Sequence, residues 1–289
     1  MISRFLGAVA VFGVLSLAIA QRDAKHSYSL TKDFKVSAPL SSRGGTILLN
    51  ASRASKKLEV QIGVKTQTFA LETIDDSGSP AQGDVLVEDF DFDGFNDVGL
   101  PSGIGYGGVN NFYDVWRYEP RQKQLVKLEG KDFQVSNPMF DPKNKILFGN
   151  SRSGPFWYGF AYKFSDNKPW LYRSSNYRNL LVFDKTDSYL EQTQIFNKAG
   201  DLIQSSLNDT DKDGNSIPVK RTVPAKMFLY SSPKESAKTT NYIIRGDTVL
   251  VLEIAGKIET VTIETEQWVK IAYQSQKLGR MVRWLRLKQ

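Results

Sequence analysis

Short runs of β-branched and aromatic residues, bounded by Gly, Pro, Asn and Asp, recur about every ten residues along most of the chain, and this spacing restricts its fold most. The clearest are GTILLN, KLEVQIGV, FYDVWRYE, KILFGN, FWYGFAYKF, NLLVFD and LEQTQIF. Such runs suit a pleated, half-buried surface, and sustained helical periodicity is confined to the N-terminal segment. An all-β protein is therefore expected. With 289 residues the chain can bury a sizeable core in one or two domains.

Residues 1–20 read MISRFLGAVAVFGVLSLAIA: a basic start at Arg4, an apolar run and an Ala18-Ile19-Ala20 ending. This is the pattern of a secretory signal peptide. A membrane anchor is the rival reading, but the A-x-A ending and the polar QRDAKH that follows favour cleavage before Gln21. Because Gln21 is not cysteine, the lipid attachment of a bacterial lipoprotein is closed to it. A periplasmic or secreted protein without stable membrane insertion is expected.

The chain has no cysteine and a single histidine, His26. Disulfides, thiolate zinc sites, cysteine nucleophiles and multi-histidine centres are therefore excluded. An exported fold of this kind rests on its core, with a metal as the available staple. No pair of acids is marked as a general acid and a nucleophile, so no catalytic residue is assigned and a binding protein is expected rather than an enzyme.

Charge divides the chain. Residues 21–219 hold 24 Lys+Arg and 25 Asp+Glu, whereas residues 220–289 hold 13 and 6, a net +7. The change coincides with SLNDTDKDGNSIPVKRTVP, a turn-former-rich stretch read as a linker over 206–223. The expected domains are 21–205 and 224–289. An exported basic segment meets anionic wall or membrane rather than nucleic acid.

The most specific motif is Asp89-Phe90-Asp91-Phe92-Asp93-Gly94-Phe95-Asn96-Asp97, or D-x-D-x-D-G-x-x-D. Carboxylates of Asp89, Asp91, Asp93 and Asp97, with the Phe95 carbonyl and a turn at Gly94, form a hard oxygen cage of the kind calcium prefers. An EF-hand would place Glu at the twelfth position, which here is Leu100, and the flanks are strand-like, so a β-framed calcium loop with a structural role is expected. Asp209-Thr210-Asp211-Lys212-Asp213-Gly214-Asn215 has only the first half of this pattern and reads as a linker turn.

Other motifs carry less chemistry. Gly103, Gly105 and Gly108 make a superficial GxGxxG, but no helix follows, so nucleotide binding is not expected. Tyr106 in that loop, and Phe156, Trp157 and Tyr158 beyond the SRSG turn, are either core rings or contacts on a recognition surface.

Two resemblances follow from these motifs. The run MFLYSSP, YIIRGDTVLVLE, QWVKIAY and GRMVRWLRL, with Gly246-Asp247-Thr248-Val249, Trp268 and Trp284, resembles a bacterial SH3-like domain over 224–289. Such a module implies binding to cell-wall peptides or proteins, with Trp268 and Trp284 as contacts. The aspartate loop, GGVNNFYDVWRYEP, VSNPMFDPKNK and the SRSG turn together resemble periplasmic calcium-binding β-propeller-like proteins that include type IV secretion immunity proteins. That resemblance, over about 60 to 205, implies an inhibitor that inserts a loop into the cleft of a peptidoglycan hydrolase or lysozyme-like effector. Tyr106 and Phe156-Trp157-Tyr158 are the rings best suited to such a plug. The alternative is a cell-wall-binding or adhesion protein acting through the SH3-like segment.

Overall fold

The computed structural model describes residues 23–71, 83–131, 133–180, 189–210, 216–256, 266–275 and 279–288. The signal segment, most of NLLVFD and residues 211–215 of the second acidic stretch lie outside them.

The described chain is all-β, in three antiparallel sheets, none of which closes into a barrel. In chain order the strands are β1 (His26–Ser29), β2 (Phe34–Pro39), β3 (Thr46–Ser52), β4 (Lys57–Ile62), β5 (Lys65–Ala70), β6 (Asp84–Glu88), β7 (Asp97–Gly105), β8 (Asn110–Glu119), β9 (Gln124–Lys127), β10 (Val135–Ser136) and β11 (Met139–Asp141). There follow β12 (Ile146–Ser153), β13 (Phe156–Ser165), β14 (Lys168–Asn179), β15 (Tyr189–Phe196), β16 (Leu202–Thr210), β17 (Ser216–Thr222), β18 (Met227–Tyr230), β19 (Lys238–Ile243), β20 (Thr248–Ile254), β21 (Glu266–Ser275) and β22 (Gly279–Lys288).

Strands β2 to β5 form a meander whose alternation is regular: Leu58, Val60 and Ile62 are buried while Lys57, Glu59 and Gln61 are exposed. Its apolar face packs on Val85, Val87, Val98 and Leu100 of the second sheet, which holds β1 and β6 to β10. Leu86 and Val115 point the other way, into a cluster with Phe140, Leu147 and Tyr162 of the third sheet. The middle sheet is thus buried on both faces, which explains why VLVE is apolar without alternation.

The third sheet runs through the stretch expected as a linker. Residues 206–223 lie largely in β16 and β17, which pair Asn208 with Pro218 and Thr210 with Ser216, and β17 then pairs with β20. The sheet runs unbroken from β11 to β19 through twelve strands. Leu190, before the expected linker, and Leu207, within it, share one core with Leu229, Ile243, Val269 and Leu285. Strands β16 and β17 pair on either side of 211–215, and the described core does not divide there.

Candidate metal centre

The aspartate loop joins β6 to β7 in the middle sheet. Glu88 and Asp97 are cross-strand partners at its base, and Ser41 bridges to Phe95 across its top. Phenylalanines interleave the acids because the loop sits on a core: Phe90 is fully buried, edge-on to Phe140 at 5.1 Å, and Phe92 packs against Phe164 at 6.0 Å. Phe90 has room because position 99 is glycine, where a Cβ would lie 2.8 Å from its ring. Gly94 takes φ +98°, the left-handed turn that lets the chain reverse above the acids.

Backbone N–H groups hold the carboxylates in place. Asp97, fully buried, accepts from Phe90 N at 3.0 Å and Tyr118 N at 2.8 Å. Asp89 accepts from Asp93 N and Gly94 N, both at 3.0 Å, and Asp91 from Asp93 N at 3.2 Å. Oxygens of Asp89, Asp91 and Asp97 lie within 4.8 Å of one another. Asp91 is 6% exposed, and its Oδ2 is buried with no hydrogen-bond partner.

Like charges this close, out of water, resist ionisation. Burial pushes Asp91 up to about 7, reinforced by Asp93 and Asp89, and pushes Asp89 up to about 6. Asp97 is held well above the usual carboxylate range by burial and by Asp91, and Asp93 is raised by burial. Asp89, Asp91 and Asp97 are residues that could hold a metal ion here. The fourth predicted acid, Asp93, has Oδ1 engaged by Phe95 N at 2.8 Å, and the Phe95 ring packs on Tyr118 at 5.4 Å.

Several neighbours carry no mark in the motif. Buried Glu88 accepts from Lys25 N at 2.9 Å and Asp89 N at 3.1 Å, tying the start of the described chain to the loop. Asn96 Nδ2 donates to Pro39 O at 2.9 Å, and Lys145 Nζ to Phe92 O at 3.2 Å. Arg117, paired with Glu119 at 2.7 Å, favours the ionised forms of Asp91 and Asp93. Of these, Asn96 lies inside the motif and Glu88 abuts it, whereas Lys25, Arg117 and Lys145 come from elsewhere in the chain.

The predicted recognition rings regroup. Tyr106 (47% exposed) and Trp157 (44%) come together around Arg152, whose guanidinium lies 5.3 Å from the first ring and 6.0 Å from the second. Tyr106 Oη donates to Gly154 O at 2.7 Å, and Asn110 and Arg152 exchange two hydrogen bonds at 2.9 and 2.7 Å. Phe156 and Tyr158, one residue either side of Trp157, pack on Tyr177 at 4.7 and 6.4 Å. Strand alternation separates the three consecutive rings. Trp268 and Trp284 are half-buried: Trp268 stands edge-on to Tyr230 at 4.8 Å with Arg286 over it at 5.6 Å, and Lys270 lies 5.5 Å from Trp284.

The fold and site define an all-β protein with a carboxylate-lined loop in its middle sheet. No family model matches the chain, and no curated protein sequence matches it. Among solved structures it is similar to a Xanthomonas protein described as related to a type IV secretion system, at 19% identity over 68% of this chain and 98% of the other, with a TM-score of 0.37. Among the described residues no helix is long and apolar enough to cross a membrane.

Proposed function

We propose that this is an exported calcium-binding protein that acts by binding, as an inhibitor or immunity protein against a peptidoglycan hydrolase. The observation that carries the metal reading is the buried, unpartnered Oδ2 of Asp91 among the gathered oxygens of Asp89, Asp91 and Asp97. Calcium would supply there the positive charge that lets two buried carboxylates, Asp91 and Asp97, and the half-buried Asp89 ionise together.

The metal acts on the contact surface through β7 and β8. Asp97 opens β7 and grips Tyr118 near the end of β8, while Tyr106 and Asn110 lie at the opposite end of the same hairpin, about 27 Å away at strand rise. Fixing one end steadies the other. Tyr106 and Trp157 offer faces that stack in saccharide subsites, and Arg152 between them complements the paired carboxylates of a glycoside hydrolase cleft. The finer fold reading belongs to the same proposal: β2–β5, β6–β9 and β11–β14 are successive blade-like meanders, and 224–289 is an SH3-like segment built onto the last sheet.

A turbidity assay tests this reading, with candidate muramidases, the purified protein, and calcium or chelator. Inhibition that needs calcium and falls at least tenfold in Arg152→Glu with Trp157→Ala is expected. Absence of inhibition of any neighbouring or rival hydrolase overturns it.

A further inference from the structure

The β18–β19 hairpin has faces of opposite character. Its register pairs Met227 with Ile243 and Phe228 with Tyr242, and Leu229 and Ile243 are buried in the C-terminal core, against which Met227 packs. The period of two then turns Lys226, Phe228, Tyr242 and Ile244 outward. An outward face beside water ordinarily carries polar residues. Here Phe228 is 40% exposed, Tyr242 50% and Ile244 51%.

The two rings meet edge to face at 6.4 Å, with Lys226 Nζ 4.0 Å from the Tyr242 ring and Lys238 Nζ 3.9 Å from the Phe228 ring. Strand β19 ends the twelve-stranded sheet. The surrounding segment, 220–289, carries the whole basic excess of the chain beyond its signal segment.

We propose that this outer face docks on an anionic phospholipid bilayer, with Phe228, Tyr242 and Ile244 entering the headgroup boundary and Lys226 and Lys238 reaching lipid phosphates. Apolar side chains ringed by lysine match an interface that is apolar inside and anionic at its surface. An acidic glycan fits less well: Phe228 and Ile244 offer it no hydrogen bonds, and beyond the lysines the outward face adds only two hydroxyls, those of Tyr242 and Thr240. The ammonium groups, held over rings, retain N–H bonds to give to phosphate. This surface is independent of the calcium loop, and it differs from the Trp268 and Trp284 contacts that the SH3 resemblance implies.

Co-sedimentation of the exported protein with vesicles of phosphatidylglycerol and phosphatidylethanolamine tests it, against phosphatidylcholine vesicles and purified sacculi. Binding to the anionic vesicles alone is expected. Phe228→Ser with Tyr242→Ser, which leaves net charge unchanged, should weaken it at least tenfold, and Lys226→Gln or Lys238→Gln about fivefold each. The side chains are exposed, so unchanged melting transitions verify that the variants fold. Failure to bind anionic vesicles, retention on sacculi instead, or equal binding by the serine variant would overturn the proposal.

Discussion

The acidic loop between β6 and β7 and the basic hairpin of β18 and β19 each carry charges of one sign, and they handle them in opposite ways. In the loop Asp91 and Asp97 are buried and Asp89 half-buried, and all three are fixed by backbone N–H groups and pushed toward their neutral forms. At the hairpin the lysines stay in water, each laid over an aromatic ring. A buried cluster of one sign needs a counter-charge from outside to ionise, whereas an exposed one does not. The loop should therefore respond to metal and pH, and the hairpin to ionic strength.

The largest effect tests whether the two regions are separable at all. Splitting the chain within 206–223 removes Leu190, Leu207 and Val219 from the C-terminal core, at roughly 1.5 to 3 kcal/mol each, comparable to the whole stability of a small domain. Residues 224–289 alone should lack a cooperative melting transition by circular dichroism. An independently folded piece would mean that the shared sheet contributes little.

Next comes Asp97→Ala, which orphans the buried Phe90 and Tyr118 N–H groups and should lose about 3 to 5 kcal/mol in urea unfolding, with or without calcium. Asp91→Asn sharpens the contrast, because its sign depends on metal. Without calcium it removes repulsion and should stabilise by on the order of 2 kcal/mol, one pKa unit being worth about 1.4; with calcium present it should abolish the ion's stabilisation.

The same charges set the response to pH. Asp89 and Asp91 bind protons more tightly folded than unfolded, so their stabilising contribution is complete below the ordinary carboxylate range and is lost as pH rises through about 6 and about 7. Metal-free protein should melt lower at pH 8 than at pH 5, and saturating calcium should cancel the difference. The smallest effect is Tyr106→Phe, which removes one exposed hydrogen bond to Gly154 and should change stability by about 0.5 kcal/mol while weakening partner binding.

The strands were legible wherever one face is buried, because period two survives in sequence: KLEVQI appears as β4 and FYDVWRYE within β8. The strands β16 and β17 within 206–223 were not legible because turn formers crowd that stretch and Pro218 argues against a strand. Pro218 is accommodated because β20 pairing begins one residue later, at Val219. The aspartate register was legible since every candidate ligand lies in one loop. Arg117 and Lys145 reach it from β8 and from the turn before β12, and no local pattern announces contacts of that range. Spacing along a strand also hid that Trp157 faces Arg152 while its neighbours face Tyr177.

Calorimetric titration of chelator-stripped protein with calcium, paired with its melting transition, tests the central claim most directly. One ion per chain, a melting temperature raised by several degrees and loss of both signals in Asp91→Asn are the predicted results. No binding heat and an unchanged transition at saturating calcium would contradict it.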